Sequence, residues 1–305
     1  MRLRLAGAVV FSMLTLCSAG AQTSPRVDRL QLMRDVTTLA APVMEGRRAA
    51  SAGGLLARGY LVERFTAIGL TPGGTAGYLQ PFTTMNRNIE VGAANVIGRV
   101  PGSDSRAKTI VVTAHYDHLG IRDGATYHGA DDNGSGVAAL LAAARHFVSS
   151  RPRHSMLFAA LDAEEIGHRG AAALLGANLV SRDGIALNVN LDMVSRSDAN
   201  EIYAAGTSYS PWLKPFVEEV QQRAAVKILF GHDRPNPADR RDDWTNLSDH
   251  SEFHKAGLPF VYFGVEDHPD YHLPTDTADR INPRFFGDVA DMIVDALRTF
   301  DARLP

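Results

Sequence analysis

The hydrophobic pattern of the chain contains four short apolar runs, each followed at once by charged or polar residues. These runs occupy residues 109–114, 155–161, 186–191 and 259–265. Apolar runs of this length, without polar alternation, are typical of strands that are buried on both faces of a sheet. We therefore predict that the four runs are strands of one mainly parallel sheet.

Apolar residues at helical spacing predict helices around these strands. Ser51 is suited to cap the second helix, and Gly69 is suited to end it. Residues 80–100 look like strand material that is interrupted by Asn and Gly. The alternation of strands and helices predicts an α/β fold: a single domain with a mainly parallel, mixed central sheet and helices on both faces. The predicted helices occupy residues 27–40, 51–68, 134–148, 168–178, 211–224 and 283–300.

Composition and charge narrow the class of protein. The chain has 305 residues, of which 45% are hydrophobic and 21% are charged, as in ordinary soluble domains. Its formal charge is −3, and it contains no basic run of five or more residues, so we expect no nucleic-acid partner. No linker or internal repeat divides the chain, and no large insertion interrupts its polar segments, which favours a monomer.

The first 21 residues have the pattern of a secretory signal peptide. Arg2 and Arg4 precede an apolar stretch at 5–16, and small residues lead up to Ala21. We predict cleavage after Ala21 and export of a domain formed by residues 22–305 to the periplasm or the exterior. The apolar stretch is too short to remain as a membrane anchor, so no stable membrane insertion is expected.

Cys17 is the only cysteine of the chain and lies inside this predicted signal peptide. Attachment of a lipid to Cys17 is the alternative to simple cleavage, although the bulky Leu16 before it argues against that reading. After cleavage the protein would have neither disulfides nor a thiolate nucleophile.

Polar side chains suited to chemistry follow three of the four predicted strands. Segment 113–136 alone holds three histidines and four aspartates. Strand ends gather at one edge of a parallel sheet, so these groups should converge, and converging carboxylates repel unless protonated or bridged by cations. A mixture of imidazole and carboxylate suits zinc. The segments that stand out are His115-Tyr-Asp117, Asp131-Asp132-Asn133-Gly134, Asp162-Ala-Glu164-Glu165, Asn190-Leu-Asp192 and Tyr271-His272-Leu-Pro-Thr-Asp276.

Each segment taken alone also has an ordinary explanation. A His-x-Asp pair is usually found on a surface, and Asp-Asp-Asn-Gly is usually a turn or a helix cap. Glu164 and Glu165 could simply open a helix, where its dipole favours acids. The joint occurrence of such segments at successive strand ends is what favours a metal site.

The five segments, in this order, resemble those of the co-catalytic di-zinc aminopeptidases. This family includes bacterial leucyl aminopeptidase, aminopeptidase Y and glutamate carboxypeptidase II. The similarity covers most of the chain after residue 21 and extends to residues 44–47 and 248–253. The resemblance implies a zinc-exopeptidase type of fold, peptide substrates and two Zn²⁺ per chain.

The resemblance also implies which residues bind metal. His115 and Asp192 would hold one zinc, and Glu165 and His272 would hold the other. The spacing to the following Ser-Gly selects Asp132 as the carboxylate that bridges both ions, and implies a cis peptide bond after it.

Three further residues would have catalytic roles by the same resemblance. Glu164 would be the general base for a water activated by two metal ions. Tyr271 would stabilise the intermediate, and Asp117 would orient His115 by accepting from its second ring nitrogen. The remaining histidines have no counterpart in that pattern and are expected at the surface or in the core: His118, His128, His168, His232, His250, His254 and His268.

These observations predict an exported zinc aminopeptidase that removes N-terminal residues from peptides. A dipeptidase, a carboxypeptidase or a glutaminyl cyclase on the same scaffold is an alternative, and His115 disfavours the cyclase. A catalytically silent binding protein is a second alternative, disfavoured by the presence of all five ligands and the base. The loop at 231–247, with Trp244, is expected to form a wall of the cleft, and Asp249 and His250 are candidates for its lining.

Overall fold

The structure is a computed structural model that describes residues 26–234 and 242–305. The predicted signal peptide, its cleavage point and Cys17 lie outside the described residues. Within those two ranges no helix is long and apolar enough to cross a membrane.

The strands form a nine-stranded mixed sheet and a separate two-stranded hairpin, β5–β6. Along the main sheet the order is β1-β3-β7-β4-β8-β11-β9-β10, and β2 pairs with β3. The strands are β1 (Thr71–Pro72), β2 (Leu79–Asn86), β3 (Ile89–Val100), β4 (Thr109–His115), β5 (Gly120–Arg122), β6 (Ala125–Tyr127), β7 (Met156–Leu161), β8 (Ile185–Leu191), β9 (Glu201–Ala205), β10 (Lys227–Phe230) and β11 (Phe260–Gly264).

The four predicted strands are the four adjacent parallel strands at the centre of this sheet: β7, β4, β8 and β11. Each observed strand begins and ends within one residue of its predicted bounds. On either side the sheet turns antiparallel, because β3 runs opposite to β7 and β9 runs opposite to β11. The carboxyl ends of the four central strands therefore lie along one edge.

In the part of the chain that the structure describes, seven α-helices cover the sheet. Ser51 Oγ accepts from Gly54 N at 3.1 Å as the predicted cap of α2, and Gly69 ends that helix with φ +89°. The helices are α1 (Arg29–Leu39), α2 (Ala52–Ile68), α3 (Gly136–Ser149), α4 (Arg169–Gly176), α5 (Lys214–Gln221), α6 (His250–Lys255) and α7 (Pro283–Arg303).

Central strands bury side chains on both faces, which explains their uninterrupted apolar sequences. In β4, Ile110 and Val112 pack into the larger core, which contains residues of α1, α2, α3, α5 and α7. Between them, Val111 points to the opposite face, where a smaller core holds Leu174 of α4 and Phe253 of α6. The predicted α/β fold with helices on both faces is confirmed.

Several elements differ from the prediction. The strand material at 80–100 is interrupted once, by a turn at residues 87–88, and it forms an antiparallel hairpin in which all of β2 pairs with residues 89–96 of β3. The helix predicted at 211–224 is shorter: a 3₁₀ turn at Pro211–Leu213 precedes α5. Strands β9 and β10 and helix α6 were not predicted, since each has only four to six residues.

Candidate active site and metal centre

The candidate site lies at the carboxyl edge of the four central strands. His115 ends β4, Glu164 and Glu165 follow β7, and Asp192 follows β8 directly. His272 comes from the loop after β11. The parallel arrangement of these strands brings together side chains that are up to 157 residues apart in sequence, as the positions of His115 and His272 show.

A first group of possible ligands consists of His115, Asp132 and Asp192. His115 Nε2 lies 3.4 Å from Asp132 Oδ1 and 3.4 Å from Asp192 Oδ1. The other ring nitrogen, Nδ1, lies 3.1 Å from the main-chain oxygen of Asp117. A proton on Nδ1 would satisfy that oxygen and leave Nε2 free to bind a cation.

A second group forms on the other oxygen of Asp132. His272 Nε2 lies 3.0 Å from Asp132 Oδ2 and 3.8 Å from Glu165 Oε1. His118 lies in the same place, with Nδ1 at 2.8 Å from Glu165 Oε1 and 3.7 Å from Asp132 Oδ2. His118 was expected at the surface or in the core; it is buried, and its ring lies beside two of the proposed ligands.

Zinc fits these side chains by distance and by chemistry. Two ligand atoms of one tetrahedral zinc ion, at bond lengths near 2.0–2.2 Å, lie roughly 3.3–3.6 Å apart. The two 3.4 Å separations in the first group fall in that interval. Asp192 Oδ1 and Glu165 Oε1 are buried and lack a hydrogen-bond partner, a costly situation that a bound cation would relieve.

The turn that carries Asp132 is held by buried hydrogen bonds. The Asp132–Asn133 peptide bond is cis, as the resemblance implied. Asp276 accepts from Asp131 N at 3.0 Å and from Asp132 N at 3.1 Å, so its carboxylate fixes the backbone of the turn. Asp131 itself accepts from Ser195 N at 2.9 Å. Its Oδ1 is thereby engaged away from the ligand groups, as expected for a residue that is not the bridge.

Asp117 has a different contact from the predicted one. Its carboxylate Oδ1 is 3.8 Å from His115 Nδ1, whereas its main-chain oxygen is closer. The carboxylate accepts instead from Glu164 N at 2.9 Å and Glu165 N at 3.3 Å. Asp117 therefore fixes the segment that carries the predicted base and its neighbouring ligand.

Arg47, in the segment 44–47, holds two loops of the site together through buried hydrogen bonds. Its guanidinium is fully buried and donates to Tyr116 O at 2.8 Å, His128 O at 2.6 Å and Gly129 O at 2.7 Å. Burial lowers the pKa of Arg47 to about 10, so the group is charged at neutral pH. This buried positive charge acts on the carboxylates of Asp132, Asp117 and Glu165 and offsets part of the repulsion between them.

Glu164 lines the cavity beside both groups of ligands. Burial raises the pKa of Glu164 to about 8. Its Oε1 lies 3.1 Å from His168 Nε2. Tyr271, the other predicted catalytic residue, lines the same cavity and stacks on His272 with ring centroids 3.9 Å apart.

The cavity has a volume of about 260 Å³ and a mixed lining. The apolar part of the lining includes Met193, Leu247 and Val265. Trp244 is also part of the lining, as expected for the loop at 231–247, of which residues 235–241 lie outside the described ranges. The described lining residues include acids and histidines but neither lysine nor arginine.

Sequence reasoning did not find every residue of the site. His118 was not predicted as a site residue. Its position three residues after His115, which ends β4, did indicate that both rings lie at the carboxyl edge of the central strands. His168, also not predicted, lines the cavity. Asp249 and His250 were candidates for the lining of the cleft, but both are fully buried and neither is among the residues that line the cavity.

Comparisons with known proteins show what the chain is similar to. A family model described as peptidase family M28 matches residues 95–297. Aminopeptidase YwaD from Bacillus subtilis (strain 168) is 31% identical over 223 residues, which is 67% of this chain and 44% of that protein. The chain thus spans less than half the length of this curated relative.

Solved structures give the same picture of the fold. BSAP, a zinc aminopeptidase from Bacillus subtilis, is 26% identical with a TM-score of 0.57, over 70% of this chain and 50% of that chain. A glutaminyl cyclase from Fimbriiglobus ruber has a TM-score of 0.72 at 19% identity, over 90% of this chain and 95% of that chain.

Proposed function

Because the chain belongs to peptidase family M28, we propose that it is a zinc-dependent aminopeptidase with two Zn²⁺ per chain. The observation that carries this proposal is the position of Asp132. One of its carboxylate oxygens faces His115, and the other faces His272. A single carboxylate between two sets of ligands is what a bridged pair of ions requires.

His115 and Asp192 would hold one ion, Glu165 and His272 the other, and Asp132 both. Such ions supply Lewis-acid chemistry: they lower the pKa of a water molecule and polarise a carbonyl group. Each set has only three protein ligands, which leaves room for water and substrate.

Glu164 acts in this proposal as the general base. Its carboxylate takes the proton of the attacking water and passes it to the amine that leaves. Glu165 cannot share that task, since a carboxylate bound to metal is a poor proton carrier. Tyr271 has a phenol group in the same cavity, and this group can donate to the oxygen on which negative charge develops.

The charge of the cavity favours a substrate with a free amino terminus. Asp267 adds a carboxylate to the lining beyond the proposed ligands and base, and the described lining residues offer no Lys or Arg to bind a terminal carboxylate. An ammonium group is therefore attracted where a carboxylate is repelled. This argument favours an aminopeptidase over a carboxypeptidase.

Two other functions stay open to experiment. The likeness to a glutaminyl cyclase structure supports cyclisation of N-terminal glutamine as a second candidate, which glutaminyl substrates would reveal. A silent binding protein would bind peptides without turnover. Export through residues 1–21 also stays a prediction.

Two neighbouring carboxylates provide the test. Glu164→Gln should retain its zinc and lose at least ~10²-fold in kcat, because only the base is removed. Glu165→Gln should lose zinc, because a ligand is removed. Zinc content and turnover are measured on both variants, and near-normal turnover by Glu164→Gln would refute the assignment of the base.

A further inference from the structure

His168 makes two contacts that the proposed mechanism does not use. Its Nε2 lies 3.1 Å from Glu164 Oε1, and its Nδ1 lies 2.9 Å from Ser251 Oγ on α6. Among residues 26–234 and 242–305, His168 is the only basic side chain within ion-pair distance of the Glu164 carboxylate. Ser251, His168 and Glu164 thus form a series of contacts that connects helix α6 to the proposed base.

The backbone directs His168 to this position. The turn after Glu164 folds back on itself, with Gly167 N and His168 N donating to Glu164 O at 2.7 and 2.8 Å. His168 then adopts φ +56° immediately before α4. This left-handed conformation is unusual for most residues, but His and Asn are among those that adopt it more often.

When Glu164 is ionised, as a base is before it takes a proton, the two contacts favour one form of the neutral ring. If Ser251 donates its hydroxyl proton to Nδ1, the ring proton is on Nε2 and faces the carboxylate of Glu164. With the proton on Nδ1 instead, the lone pair of Nε2 would face a carboxylate oxygen and be repelled by it. The carboxylate of Glu164 therefore selects the form with its proton on Nε2, and the Ser251 hydroxyl, which can donate or accept, adapts to that form.

We propose that His168, held by Ser251, is a positioning residue that fixes the carboxylate of Glu164 for proton transfer. The proposal rests on the proposed function, because it assumes that Glu164 is the base. A base must be held within reach of the proton it removes, and a misplacement of about 1 Å can cost much of the rate. In His168 the chain provides a partner for one carboxylate oxygen and leaves the other for water.

The decisive variants are His168→Gln and His168→Asn in the zinc-loaded protein. The Gln side chain can place its amide donor near the position of Nε2, whereas Asn is too short to reach Glu164. Asn suits the left-handed backbone better than Gln does, so backbone strain would predict the opposite order of activities. His254→Gln on α6 is the matched control, because that ring contacts Tyr209 and Phe260 and not Glu164.

We expect His168→Asn to lower kcat about tenfold with little change in KM, a fraction of the ~10²–10⁴-fold that a general base contributes. His168→Gln should restore most of that loss, and His254→Gln should have no effect. Full kcat in His168→Asn, or equal losses in the Asn and Gln variants, would overturn the proposal.

A second measurement does not depend on activity. In protein labelled with ¹⁵N-histidine, the His168 ring should carry its proton on Nε2 in the wild type, and Glu164→Gln, whose amide can donate or accept, should weaken this preference. A proton on Nδ1 in the wild type would overturn the proposal even if the enzyme is active. Absence of any turnover together with a proton on Nε2 would refute the proposed function and leave the contact standing.

Discussion

At the scale of single residues, His118 is a fully buried ring that faces two proposed metal ligands. Its Nδ1 lies 2.8 Å from Glu165 Oε1 and 3.7 Å from Asp132 Oδ2, and neither ring nitrogen has a hydrogen-bond partner among the described residues. The resemblance to the di-zinc family gives His118 no ligand role. We therefore expect His118 to hold Glu165 in place through this contact and not to bind zinc itself.

Replacing His118 by Leu should weaken one zinc position and spare the other. Loss of a group that orients a metal ligand costs about 10–100-fold in affinity. Competition with a coloured chelator measures both zinc affinities, and His254→Leu serves as the control. If both zincs bind as tightly as in the wild type, His118 does not orient Glu165.

At the scale of elements, Asp276 joins the loop that carries His272 to the turn that carries Asp132. Its carboxylate accepts from two main-chain N–H groups of that turn, and its main-chain oxygen accepts from Ala130 N at 3.1 Å. Asp276→Asn keeps one acceptor oxygen but turns an NH₂ group towards an N–H donor. Asp131 N can keep the other oxygen of residue 276 as its acceptor, so the variant should lose one hydrogen bond, be destabilised by about 0.5–1.5 kcal/mol and bind zinc more weakly.

Urea unfolding and zinc titration of Asp276→Asn measure both effects. The exposed acid Asp279, in the same loop, provides the control through Asp279→Asn. Equal stability and zinc affinity in the two variants would show that the two loops are held together by other contacts.

The same elements explain how far the sequence could predict the structure. Strands β4, β7, β8 and β11 were predictable because burial on both faces leaves a continuous apolar run. The short strands β9 and β10, at one side of the sheet, have no such run. The convergence of the five proposed ligands followed from parallel strands that end at one edge.

The contacts around these ligands could not be predicted, because they depend on which loops meet. The carboxylate of Asp117 reaches the backbone of residues 164 and 165 and not His115. In the same way, Ser251 meets His168 only because α6 packs beside α4 on one face of the sheet. Neither spacing nor periodicity encodes such pairings.

At the scale of the whole molecule, the metal centre concentrates carboxylates from separate parts of the chain. Without cations these groups repel each other inside the folded protein, whereas in the unfolded chain they are far apart. Zinc that binds only the folded state adds about 2.7 kcal/mol at a free concentration of 100 Kd. Chelation should therefore lower the urea midpoint of the wild type, and Asp132→Ala should show no such dependence on zinc.

The central claim is tested most directly by the rate at which the zinc-loaded protein hydrolyses a set of aminoacyl-p-nitroanilides, measured beside the same compounds with acetylated amino groups. We predict hydrolysis of the free-amino compounds, its loss on chelation, its return with zinc, and no hydrolysis of the acetylated compounds. A protein that holds two zinc ions per chain and cleaves none of the free-amino compounds, or cleaves the acetylated ones equally well, would contradict the proposed aminopeptidase.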